Sequence, residues 1–303
     1  MDHYKKSIYY LHIATILYST QHFVLKVFID HEVDYTFLNF VRFSIAFFCN
    51  GIQIFMKNIR IIEYTSLQKE YIRYNIHYIF ECVLLSVFTY ISFLMQCIGL
   101  MYTSATKSAY ILYFNVKLVV ILEIIFFCKI AALRTWISVI MTSIGIIILC
   151  FDSNLFLEKR LIMNRGDTFT LVSACFSALF IIFVGKIAHF QKSIASTNCI
   201  YLFFTTLFFG CTLIFSKIAV FEIIKKSDAI TTCGMLYLGL VTYLGQYLQT
   251  YGQQNIEPSK AALIFALDPL YNVVWSYIYL DEHISFYCGV GITIIFIATF
   301  IIN

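Results

Sequence analysis

Charge, glycine and proline are scarce in this sequence. Of 303 residues only 13% are Asp, Glu, Lys or Arg, 12 are Gly and 2 are Pro. A soluble domain carries about 25% charged residues, and its surface could not accommodate the long apolar runs found here without exposing aggregating patches. A soluble globular class is therefore excluded. The net charge is only +4 and no run of Lys and Arg forms a basic patch, which excludes a nucleic-acid partner. The ten cysteines include no CxxC and no Cys/His spacing. Those such as Cys49, Cys97, Cys150 and Cys211 lie inside apolar runs and read as small apolar residues, not as a disulfide framework or a metal site. His12 and His22 stand ten residues apart, too far along one helix to share a metal. GxSxG, HExxH, a phosphate-cradling glycine loop and a dinucleotide fingerprint are all missing, so the expectation is no enzyme and no cofactor.

Apolar residues are abundant: 60% of the chain is hydrophobic and 18% aromatic, with a mean hydropathy of +0.82. A helix needs about 20 apolar residues to cross the hydrocarbon core. Such runs fall near 8–29, 35–56, 77–100, 107–128, 134–151, 168–186, 197–218, 230–251, 260–280 and 285–302. They are continuous and lack a barrel's alternation, so the reading is an all-α integral membrane protein of ten transmembrane helices. The first run follows Lys5 and Lys6; it is too long for a cleaved signal peptide, carries His12, His22 and Lys26, and is followed by no small-residue cleavage site. Lys57, Arg60, Lys69, Arg73, Lys129, Arg134, Lys186 and Lys192 fall on the same side as Lys5 and Lys6, which favours both termini in the cytoplasm. Plasma membrane and organelle remain equal alternatives.

Sliding the chain on itself by 153 residues lays 96–145 gaplessly on 249–298. Gln96 meets Gln249, Gly99 meets Gly252, Lys107 meets Lys260 and Asn115 meets Asp268. The expected halves are 1–151 and 167–303, joined by the polar stretch 152–166. Five spans in each half oblige the copies to insert in opposite orientations, as in many secondary transporters.

These residues resemble a known pattern. Gly252, Pro258-Ser259-Lys260-Ala261-Ala262-Leu263-Ile264, Leu267-Asp268-Pro269, Leu280-Asp281-Glu282, Gly289 and Gly291 resemble the end of an EamA-type repeat of the drug/metabolite transporter superfamily. Phe40-Val41-Arg42-Phe43-Ser44-Ile45-Ala46, Gly99-Leu100, Thr103-Ser104-Ala105-Thr106-Lys107 and Gly145 resemble the same repeat in the first half. The resemblance covers nearly the whole chain and implies two inverted five-helix halves around a central cavity. Val116 departs from it where the second copy has Pro269, and Lys129 where it has Glu282; Glu81 and Lys117 are outside the general pattern.

Function must then be read from polar groups inside the spans, which are costly in lipid and tend to face an interior or a wet cavity. His12, Thr15, Ser19, His22 and Lys26 recur at spacings of 3, 4, 3 and 4, which puts them on one face of span one. Thr89, Ser92, Gln96 and Gly99 form a stripe on span three, and Thr242, Gln246, Gln249 and Gln253 one on span eight. Asp268, Asn272, Trp275 and Tyr279 share a face of span nine, where Pro269 frees a carbonyl one turn back. Candidate substrate-binding residues are His22, Arg42, Gln96, Lys117, Gln249, Asp268 and Asn272; candidates for gating or coupling are Glu81, Glu123, Asp268 and Pro269. Lys117 is expected to pair with Asp268, Glu81, Glu123 or an anionic substrate group. The intramembrane carboxylates are candidate proton carriers. For each stripe, helix-packing hydrogen bonds are the rival reading.

Intramembrane charge is balanced, with Lys26, Arg42 and Lys117 against Glu81, Glu123 and Asp268. A carrier for polyanions would lean cationic. The leading expectation is alternating-access transport of small polar, amino-acid-like solutes, with nucleotide-sugar or sugar-phosphate exchange second and a scaffold or channel third. The partners expected are a small-molecule substrate and lipid, with a homodimer contact through spans five and ten as a further option.

Overall fold

The computed structural model describes residues 2–30, 33–64, 76–102, 108, 111–128, 132–152, 164–190, 193–216, 229–268, 270–271, 274–275 and 286–302. Pro269 and Asn272 lie outside the described residues, as do the side chains of His22 and Lys26. Ten helices follow one another: α1 Asp2–Asp30, α2 Tyr35–Tyr64, α3 Ile76–Tyr102, α4 Phe114–Phe127, α5 Leu133–Asp152, α6 Arg165–Phe190, α7 Ile194–Phe215, α8 Ala229–Gly252, α9 Pro258–Phe265 and α10 Phe286–Ile302. Over Tyr35–Met56, Ile76–Tyr102, Arg165–His189 and Ile194–Phe215 they are long and apolar enough to cross a membrane on length and composition alone. Among the described residues there is no strand.

At the 153-residue offset helix falls on helix: residues 76–99 of α3 on 229–252 of α8, and residues 133–149 of α5 on 286–302 of α10. Three of the five pairs of helices holding the same place in the two copies pack antiparallel on each other. Along α2 and α7, Phe43 stacks on Phe209 while Asn50 donates to the Ala195 carbonyl. Along α4 and α9, Tyr113 meets Asp268 and Glu123 meets Ser259. Along α5 and α10, Ser138 donates to the Ala298 carbonyl while Gly145 faces Gly291. Equivalent helices running in opposite directions make the repeats inverted, with a pseudo-two-fold axis between them.

Cross-pairing obeys the same operation. α3 lies antiparallel on α6, with Ser92 against Ser173 and Gly99 against Thr170. α1 lies likewise on α8, with Tyr18 on Gln249 and Ser7 against Gly252. The equivalent glycines Gly99 and Gly252 therefore make equivalent close approaches. A Cβ on Gly99 would stand 3.0 Å from the Gly166 carbonyl oxygen, and one on Gly252 would stand 3.1 Å from that of Ser7. Lipid supplies no hydrophobic drive between helices, so such close backbone packing is what holds them. Gly145 and Gly291 make a similar close approach at the α5–α10 crossing, where a Cβ on Gly145 would stand 2.9 Å from the Gly291 carbonyl oxygen.

The fourth helix of each copy is broken within one residue of the equivalent point. Val116 N–H bonds three residues back to the Tyr113 carbonyl at 3.2 Å, and Leu270 N–H to the Leu267 carbonyl at 3.0 Å. The first copy has no proline near its break. The break thus belongs to the fold, and Pro269 alone is not its cause. It turns Tyr113 and Asp268 toward the middle of the molecule.

Candidate functional site

A cavity of about 130 Å³ lies between the two repeats. The first repeat lines it with Thr15, Tyr18 and Gln21 from α1, Thr89, Ser92, Phe93 and Gln96 from α3, and Leu112, Tyr113 and Asn115 around the α4 break. The second lines it with Ser177, Phe180 and Ile181 from α6, Gln246 and Gln249 from α8, and Phe265 and Asp268 around the α9 break. Four pairs among these stand 153 residues apart: Phe93 and Gln246, Gln96 and Gln249, Leu112 and Phe265, and Asn115 and Asp268. The cavity therefore straddles the pseudo-two-fold axis, where transporters of inverted repeats place their substrates.

Most lining residues carry a hydroxyl or an amide, although more of the wall's surface is apolar, and several of the polar groups are ordered by one another. Tyr18 donates its hydroxyl to Gln249 Oε1 at 2.7 Å, Gln249 Nε2 reaches Gln253 Oε1 at 3.4 Å, and Gln253 Nε2 donates to the Ile181 carbonyl at 3.1 Å. Each donor polarises the next along this chain. Tyr201 donates to Gln246 Oε1 at 3.0 Å, and Asn115 Nδ2 to Ser177 Oγ at 3.3 Å. Asp268 is the one formal charge among the described lining residues, and Tyr113 donates to its Oδ2 at 2.8 Å. Trp275 Nε1 donates to Ser19 Oγ at 2.9 Å and ties the far part of the broken helix to α1.

The sequence-derived candidates divide into three groups. Gln96, Gln249 and Asp268 are brought together at the cavity. Arg42 lies behind the wall, 2% exposed, with Nε donating to Thr242 Oγ1 at 2.6 Å and Nη2 to Gln21 Oε1 at 2.5 Å. Lys117, Glu81 and Glu123 lie elsewhere. The Lys117 ammonium sits over the Phe114 ring, 5.4 Å from its centroid, and among the described residues no carboxylate pairs with it. Glu81 pairs with Lys186 at 2.8 Å, both partly exposed, near the start of α3 and the end of α6. Glu123 is buried, and its Oε2 accepts the Ser259 backbone N–H at 3.0 Å. A carboxylate there compensates an orphan donor and the positive end of α9, which gives Glu123 a structural task in addition to any coupling role.

Tyr18, Gln21, Phe93 and Tyr113 were absent from the sequence-derived set. The tyrosines were counted among apolar residues, although a buried tyrosine hydroxyl seeks a partner. Gln21 falls three and six residues from Tyr18 and Thr15, so a stripe started from Thr15 rather than from His12 includes it.

The sequence model of the EamA-like transporter family matches residues 5–151 and 164–303. No curated protein matches the chain. One solved structure, titled only "Crystal structure of protein", superposes with a TM-score of 0.75 over 98% of this chain and 95% of its own, at 11% identity. That likeness concerns the fold alone.

Proposed function

Because the chain belongs to the EamA-like transporter family, we propose that it is a secondary carrier of small polar organic solutes, amino-acid-like in character, which pass through the central cavity by alternating access. One observation carries this reading: the cavity is walled by both repeats across their pseudo-two-fold axis, so a rocking of one against the other would change the side to which it opens. Gln253 bonded to the Ile181 carbonyl, and Glu123 bonded to the start of α9, fasten one side of the cavity and would have to part in the cycle. Both termini are assigned to the cytoplasm from the distribution of basic residues.

The wall also bears on substrate class. Its described part carries hydroxyls, amides and one carboxylate, and no Lys or Arg. That composition suits a polar neutral or amine-bearing solute. It weighs against nucleotide sugars and sugar phosphates, whose phosphates call for cationic donors. Asp268 is the residue placed to receive an amine or a coupling proton.

The test is counter-flow in proteoliposomes loaded with pooled amino acids, nucleosides, sugars and phosphorylated metabolites. Saturable exchange of one class, lost in Asp268→Asn and kept in Lys117→Ala, is the expected result. Exchange of phosphorylated solutes alone would overturn the substrate class, and exchange indifferent to Asp268→Asn would overturn the site.

A further inference from the structure

We infer that Arg42 is a positioning residue that fixes the Gln21 amide so that the cavity wall offers a hydrogen-bond donor at that point, making the site selective for solutes with an anionic or carbonyl oxygen. This inference deepens the carrier reading above and rests on it. Arg42 is buried, and among the described residues no carboxylate pairs with it. Its charge is met instead by neutral oxygens and by the Phe93 and Phe43 rings, whose centroids lie 4.5 and 5.5 Å from the guanidinium carbon. Two of these neighbours, Gln21 and Phe93, line the cavity. The cation thus stands one side chain behind the wall.

The chemistry admits one orientation of the amide. A guanidinium donates only, so the Gln21 atom facing Arg42 Nη2 must be the carbonyl oxygen. Nε2 then faces Thr242 Oγ1 at 3.1 Å. That hydroxyl must accept, because its own proton goes to the Leu238 carbonyl at 2.6 Å while Arg42 Nε takes its other lone pair at 2.6 Å. Both ends of the amide are locked. Among the described residues one Nε2–H of this cavity-wall amide remains uncommitted, and the cation behind it polarises that N–H toward an anionic acceptor.

The link joins α1, α2 and α8 and lies beside α3, so a substitution at Arg42 could lower activity by loosening packing. A selectivity readout separates the two roles. Counter-flow would compare leucine with isopentylamine, its decarboxylated analogue, in wild type, Arg42→Gln, Arg42→Lys and Gln21→Glu, each first shown to be monodisperse. Arg42→Gln is expected to raise the KM for leucine roughly tenfold, about the share of one hydrogen bond made to a charged group, and to leave isopentylamine unchanged. Arg42→Lys should recover part of the loss, and Gln21→Glu should favour isopentylamine over leucine. Equal shifts for both solutes, or a wild type indifferent to the carboxylate, would overturn the inference. A double-mutant cycle on melting temperature between Gln21→Ala and Arg42→Gln needs no substrate. If wild type carries neither solute, the amino-acid-like reading fails separately, and the cycle decides: a non-additive cycle upholds the Arg42–Gln21 link, and an additive one sinks it.

Discussion

Glu123 shows how a buried charge acquires meaning only from what comes to face it. From its position in an apolar span it could carry a proton or pair with Lys117. The structure sets it against the Ser259 N–H at the start of α9. Removing the side chain leaves that donor unmet, at a cost of about 1–3 kcal/mol. Glu123→Ala should therefore lower the melting temperature in detergent clearly more than Glu123→Gln, which keeps an acceptor oxygen. Equal effects of the two changes would contradict a capping role. Asp268 differs: it faces the cavity, where Tyr113 holds its carboxylate. Tyr113→Phe removes one hydrogen bond and should weaken transport several-fold while leaving the fold intact, as read by counter-flow beside a melting curve.

At the scale of elements, helix existence and the repeat were legible, because apolar runs of spanning length and a gapless offset are properties of the string itself. Which face of a helix meets the cavity was legible only in part. The amides Gln96 and Gln249 stood out in apolar runs, whereas Tyr18 and Tyr113 were hidden by the apolar bodies of their side chains. Partner identities such as Glu81 with Lys186 depend on which helices pack together, and spacing along one helix does not encode that. The sequence pointed to a break only in the second copy, through Pro269, yet the first copy also breaks, at Tyr113, with Val116 in the place equivalent to Pro269. Pro269→Ala should accordingly keep both fold and transport, measured as melting temperature and exchange rate. Gly99→Val and Gly252→Val should each destabilise by about 1–3 kcal/mol through overpacking at the equivalent close approaches. A melting temperature unmoved by either change would mean that the approaches are slack.

At the scale of the molecule, nearly every helix finds its main neighbour in the other repeat. α1 lies on α8, α2 on α7, α3 on α6 and α5 on α10. A single repeat would leave those packing faces and their polar groups to lipid, where unpaired hydrogen-bonding groups are costly. Residues 1–151 expressed alone should therefore fail to give a monodisperse protein, and co-expression with the second repeat should restore it in size-exclusion chromatography.

The same interlocking places the cavity where the repeats meet, which is the centre of the account. Its most direct test is labelling of Ser177→Cys, a residue of the cavity wall, in proteoliposomes of a chain whose native cysteines are replaced by alanine. A membrane-impermeant thiol reagent is added to one face at a time. Alternating access predicts labelling from either face, slowed from both by a transported solute. Labelling from one face only, unchanged when the solute is present, would contradict it.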